Sequence, residues 1–129
     1  MCNKNRGVRS MTNPTMHQVF VYGTLKRGCY NHSWLQSAKG YPAIAKQIDL
    51  YAGPHYPFAI RGQGQAKGEV YEVNEAILKK LDDLEGHPHY YHRELTSVIV
   101  DSKAIEAWIY LNDKAYSYPR IANGDWQPS

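Results

Sequence analysis

At 129 residues, with 43% apolar and 21% charged residues and a formal charge of +3, the chain fits one globular domain. Such a domain buries roughly two-thirds of the surface its unfolded chain exposes. Lys4, Arg6 and Arg9 carry part of the charge and the remainder is close to neutral, so nothing calls for a nucleic acid or an anionic membrane. No apolar stretch is long enough to span a bilayer, and Cys2 and Cys29 make no disulfide framework, so a reducing cytoplasm is the expected compartment. Tyrosine is frequent, eleven against two phenylalanines. Its polar end suits the wall of a pocket or the rim of a core.

Residues 1–17 are polar and aperiodic and read as a disordered basic extension, with residues 18–129 as the folded domain. Residues 1–15 lack the apolar centre of a secretory signal, and Met11 and Met16 are further candidate starts. Val19, Phe20, Val21 and Tyr22 form a β-branched and aromatic run expected as a buried strand. Gly23 ends it, and Thr24, Leu25, Lys26 and Arg27 lead to Gly28. A strand that stops at a glycine leaves amides without ladder partners and lets a ligand approach the backbone. Loop 23–28 is therefore either an anion or carbonyl cradle or an ordinary tight turn. Its glycine spacing resembles a phosphate-binding loop, but Cys29 and Tyr30 stand where Lys and Ser or Thr belong.

Asn31 is the expected cap of a short helix over 32–38, with Trp34 and Leu35 facing inward, ended by Gly40, Tyr41 and Pro42. A strand is expected over 46–51 and an edge or irregular strand over 56–60, interrupted by Pro57. Residues 62–65, Gly-Gln-Gly-Gln, read as a loop before a strand over 67–73. Asn74 opens the clearest helix, where Ile77, Leu78, Leu81 and Leu84 recur at helical spacing up to Glu85, with Gly86 as its C-terminal cap. Strands over 94–100 and 104–111 form a hairpin about Asp101 and Ser102, followed by an irregular tail closing on Gly124, Asp125 and Trp126. The class is α+β: a small mixed, mostly antiparallel β-barrel-like sheet flanked by helices.

Glu85 lies one turn beyond Leu81, at the margin of the buried stripe. A carboxylate there is costly unless paired or used. A salt bridge to Arg93 is the ordinary outcome; otherwise the dipole at the helix C-terminus raises its pKa towards that of a useful base. His87, His89 and His92 with Glu85 offer four potential metal ligands, but in a loop without the fixed spacing of a zinc motif, so no metal is expected. Lys26 and Arg27 are expected in solvent. Cys29 lies beside cations but has no catalytic context for a thiol mechanism.

The stretch 22–28, Tyr-Gly-Thr-Leu-Lys-Arg-Gly, with Asn31 and His32, and then Leu84, Glu85 and Gly86 with Pro88, Tyr91 and Arg93, resembles the gamma-glutamylcyclotransferase-like family. The likeness is closest to its gamma-glutamylamine cyclotransferase branch and small bacterial relatives. Tyr56 and Pro57, strand 67–73 and the closing Gly124, Asp125 and Trp126 extend it over about 19–126. The resemblance implies a small mixed β-barrel with flanking helices. It also implies a substrate loop at Tyr22, Gly23, Thr24 and Leu25 that acts through its backbone, and Glu85 as acid–base residue. Tyr91 closes the pocket or hydrogen-bonds the substrate. The implied reaction closes a γ-glutamyl group on its own α-amine, giving 5-oxoproline and a free amine or amino acid, with no cofactor. The implied partner is a small γ-glutamyl molecule, and the chain is expected as a monomer or weak homodimer. The alternative is a non-catalytic module that binds a small molecule or partner in the same pocket. Histidines at 87, 89 and 92 depart from the family pattern.

Overall fold

The computed structural model describes residues 16–26, 29, 32–35 and 38–128. Of the expected extension 1–17, His17 is instead the first residue of a strand, while residues 1–15, with Arg27, Gly28 and the Asn31 cap, lie outside the described residues. Strand β1 (His17–Val21) pairs antiparallel with β3 (Pro57–Val73), and β3 pairs with β2 (Lys39–Ala52) on its other side. β4 (His92–Val100) joins β2 to β5 (Lys103–Leu111), and β5 returns to β1 through a parallel contact between Val19 and Trp108. The order β1-β3-β2-β4-β5 is thus a closed barrel, mixed but mostly antiparallel. Helix α1 (Glu75–Glu85) and two short 3-10 helices, His32–Leu35 and Asp113–Ser117, complete the α+β fold.

The continuous apolar run of β1 has a physical reason, since both of its faces are covered. Phe20 and Tyr22 join the barrel interior, while Val19 and Val21 belong to an outer core shared with Leu78 and Leu81 of α1. The interior of so small a barrel has little width, and Ala43, Ala45, Ala59, Ala66 and Ala107 fill it beside a few large side chains. Helix α1 forms as its sequence suggests. The Asn74 side chain accepts from the Ile77 amide at 2.8 Å, and Gly86 takes the left-handed conformation at φ 69°. Leu78 and Leu81 are fully buried, which contributes about 2 kcal/mol each.

Two expected loops are strand. β2 does not break at Gly40, Tyr41 and Pro42: these residues pair with Tyr71, Val70 and Glu69. β4 meets β2 only at Ile44 and Ala45, so Pro42 lies where one edge of β2 is open, as a residue without an N–H requires. Residues 62–65 likewise belong to β3. Their glycines make room rather than a turn, because a Cβ on Gly62 would lie 2.0 Å from Asp49 Oδ2 and one on Gly64 2.4 Å from Asp49 Oδ1. The Asp49 carboxylate of β2 fills that space and accepts from the Gly64 amide at 3.0 Å. Beside it the register steps from Lys46 opposite Gln65 to Ile48 opposite Arg61, an irregularity that bends the sheet.

Of the expected helix over 32–38, the described residues His32–Leu35 form a 3-10 turn, while residues 36 and 37 lie outside the described residues; Leu35 is buried, but Trp34 is 42% exposed. The residues after β5 form a strap across the barrel. The Ile121 amide donates to Leu50, the Lys67 amide donates to Gly124 at 2.7 Å, and Trp126 inserts into the barrel interior. Among the described residues no helix is long and apolar enough to cross a membrane.

Candidate active site

A cavity of about 260 Å³ opens between the end of β1, the loop after it, the start of β3 and the C-terminal end of α1. Tyr22, Gly23, Thr24, Leu25, Glu85 and Tyr91 all line it. Residues more than sixty positions apart in the chain therefore meet because β1 delivers the loop to the same end of the barrel where α1 stops.

The loop is a tight turn closed by the Lys26 amide, which donates to the Gly23 carbonyl at 3.0 Å. Gly23 is required by its neighbour: a Cβ there would lie 2.9 Å from the Pro57 ring. From the 3-10 turn, His32 Nδ1 donates to the Leu25 carbonyl at 3.1 Å and holds the far side of the loop. The Gly23 and Leu25 carbonyls are thus both engaged inside the protein.

Glu85 closes α1. The chain then folds back on the helix end, the Tyr91 amide donating to the Glu85 carbonyl at 3.1 Å and the Tyr90 amide to Gly86 at 2.8 Å. The anticipated salt bridge to Arg93 does not form. Arg93 is taken by Asp82, with Nε 2.8 Å from Oδ1 and a second nitrogen 3.2 Å from Oδ2, and it stacks 4.3 Å from the Trp108 ring centre. Asp82 also accepts from the Tyr110 hydroxyl at 2.7 Å. Burial opposes the charge on Asp82, but these donors outweigh it and hold the carboxyl below its ordinary pKa. Three residues further on, Glu85 has no side-chain partner among the described residues. Burial pushes its pKa from 4.5 up to about 7, and the helix dipole acts in the same direction. Glu85 is the only carboxyl group among the described residues that line the cavity.

Tyrosines supply much of the remaining wall. Tyr22 donates to the Tyr110 carbonyl, and Tyr91 donates to the Pro57 carbonyl at 2.8 Å. Burial, reinforced by the nearby Glu85 carboxylate, keeps both phenols protonated. At the mouth, the Tyr56 and Tyr90 hydroxyls lie 3.0 Å apart, and that hydrogen bond with partial burial pushes Tyr90 up to about 12. Tyr90 and Tyr110 were not among the residues that the sequence singles out. The excess of tyrosine is the signal that could have found them, although it does not say which of eleven converge.

Other sequence expectations are redistributed. The three histidines do not gather about Glu85: His87 Nδ1 accepts from the Arg93 amide at 3.2 Å, and His92 sits on β4 beside Glu94 at 3.1 Å. Among the described residues no group of three or more His, Cys, Asp or Glu side chains is placed to hold a metal ion. Cys29 is half-buried against the barrel interior. Lys26 is not in solvent but 9% exposed, with Nζ donating to the Trp126 carbonyl at 2.6 Å. A backbone acceptor repays part of the cost of burying the ammonium.

The same chain plan recurs in known proteins. A Methanocaldococcus jannaschii relative is 43% identical over 118 residues, 87% of this chain and 97% of its own. The YtfP protein of Escherichia coli K12, named a gamma-glutamylcyclotransferase family protein, is 32% identical over 84% of this chain and 95% of its own. Its solution structure superposes with a TM-score of 0.64 at 33% identity. An AIG2-like protein of Mus musculus superposes at 0.72 with 27% identity, over 87% of this chain and 88% of its own. Residues 19–128 match the family described as gamma-glutamyl cyclotransferase, AIG2-like, a span that takes in the barrel, the loop, the helix ending at Glu85 and the strap. By sequence, by fold and by the extent of the match, the chain belongs to that family.

Proposed function

We propose that the protein is a γ-glutamyl cyclotransferase that releases 5-oxoproline from a γ-glutamyl amine or γ-glutamyl amino acid, with Glu85 as the acid–base residue. The observation that carries this reading is a half-buried carboxyl group, the only one among the described residues lining a small cavity that it shares with loop residues Gly23, Thr24 and Leu25, with its pKa raised to about 7 by burial. Family membership supplies the reaction class.

The α-ammonium of the bound substrate passes a proton to the Glu85 carboxylate, and the free amine closes on the γ-carbon. The new C–N bond pushes an electron pair onto the carbonyl oxygen. The oxyanion's electron pair then re-forms the carbonyl as the old γ-carbon–nitrogen bond breaks. Glu85 gives its proton to the leaving nitrogen, takes one of the two protons on the ring nitrogen, and passes it to the departing amine, which leaves as an ammonium and frees the carboxylate. The products are 5-oxoproline and an amine, and no water is consumed. Amine and carbonyl belong to one molecule, so the protein's main task is to fold the substrate into an attacking geometry. Amides at Gly23 and Leu25 hold a substrate oxygen, either the tetrahedral oxyanion or the α-carboxylate. Tyr22 and Tyr91, whose hydroxyls are spent on backbone carbonyls, shape the wall and keep water from Glu85.

A panel of γ-glutamyl amines and amino acids, assayed for 5-oxoproline, tests the reading and identifies the leaving group. Product from the parent protein, reduced at least about a hundredfold in Glu85→Gln, is the expected result. Folded protein that binds members of the panel without forming product would replace catalysis with binding.

A further inference from the structure

The side chain that follows the substrate loop points away from the cavity. Lys26 runs inward and ends on the C-terminal strap, its Nζ 2.6 Å from the Trp126 carbonyl, 3.5 Å from the Asp125 carboxylate and 5.9 Å from the centre of the Trp126 ring. The strap is a fixed post. Lys67 donates to the Gly124 carbonyl at 2.7 Å, and a Cβ on Gly124 would lie 1.9 Å from the Gln65 carbonyl oxygen, so the strap backbone lies flush on β3. Trp126 itself is buried with Phe20 and Tyr22, two residues that also line the cavity. The amide of Lys26 meanwhile closes the turn onto Gly23. One residue thus makes the loop's turn with its backbone and fastens that turn to the strap with its side chain.

We propose that Lys26 is the positioning residue of the substrate loop, and that the C-terminal strap, through the Trp126 carbonyl, sets where the loop amides meet the substrate. The catalytic part of this inference rests on the function proposed above; the anchoring does not. An ammonium taken out of water is costly, and a merely space-filling role would be served better by an apolar side chain. The charge is retained where it ties a loop, held also by the 3.0 Å turn bond, by His32 and by the Cys29 amide on the Lys26 carbonyl, to a post some hundred residues away in the chain. Pocket geometry at a tenth of a nanometre matters for an intramolecular attack, so slack in this tie acts on turnover rather than on the fold.

The test compares the parent chain with Lys26→Met, which keeps the stem and removes the ammonium, and with Lys26→Arg, which keeps a donor. Hydrogen exchange is followed at the amide of position 26, which reports the turn, at the amide of Lys67, which reports the strap, and at Val70 and Ile109 in the barrel. In Lys26→Met the position 26 amide should exchange about tenfold faster with the barrel amides unchanged. On a turned-over γ-glutamyl substrate kcat/KM should fall about tenfold, with its acid limb still near pH 7. Lys26→Arg should restore most of both. Unchanged exchange at position 26, or exchange that rises equally in turn and barrel, overturns the proposal. Should Lys26→Met fail to fold, native-state exchange of the parent protein decides: position 26 and Lys67 must open together as denaturant rises, and separate opening overturns the proposal. Absence of turnover in the parent protein would sink the proposed function, while the exchange data still judge the anchor.

Discussion

At the end of α1, Glu85 loses water without gaining a side-chain partner among the described residues, and the sign of that loss fixes what it does to stability. Its folded pKa of about 7 stands above the 4.5 of the free side chain, so between those values the folded protein holds a proton that the unfolded chain releases. Stability therefore falls as pH rises from about 4.5 to 7, and the full cost, about 3 kcal/mol, is present above pH 7. Glu85→Gln should raise unfolding free energy at pH 8 by about 2–3 kcal/mol and leave it nearly unchanged at pH 4, as measured by urea denaturation at both pH values. A variant no more stable at pH 8 than the parent would mean that Glu85 is not desolvated. Asp82, one turn earlier, shows the contrast. It is equally acidic by type, but Arg93 and Tyr110 hold its charge, and a paired carboxylate is a poor base.

Elements whose signals are local were legible from the sequence. α1 carries its period in Leu78 and Leu81 and its ends in Asn74 and Gly86, and the hairpin of β4 and β5 is written in two apolar strands around Asp101 and Ser102. β2 and β3 were not legible in full, because the glycines inside β3 answer to Asp49 on another strand, and no local pattern distinguishes room for a neighbour from a turn. The hairpin also yields a prediction. Asp101 and Ser102 have φ of 51° and 67°, the two-residue turn with both central residues left-handed that favours glycine at its second position. Ser102→Gly should stabilise the protein by about 0.5–1 kcal/mol, since relief of left-handed strain exceeds the entropy glycine adds to the unfolded chain. Thermal unfolding reads this, and a lower melting temperature would contradict it.

For the molecule as a whole, closing the barrel brings the loop after β1, the start of β3 and the end of α1 to one rim, and the site is a product of that closure. Six residues singled out from the sequence converge there because two short motifs, each local, carry them. Tyr90, Tyr110 and the anchor at Lys26 were not legible, since their roles depend on partners brought from strands and a strap far along the chain. Under the function proposed above, burial of Glu85 gives up stability in exchange for a base whose pKa is raised to about 7. The most direct test is the pH dependence of kcat/KM for 5-oxoproline release in the parent protein. The account predicts an acid limb that falls tenfold per pH unit below a midpoint of about 7, set by burial of Glu85. A midpoint near 4.5, or no acid limb between pH 5 and 8, would contradict it.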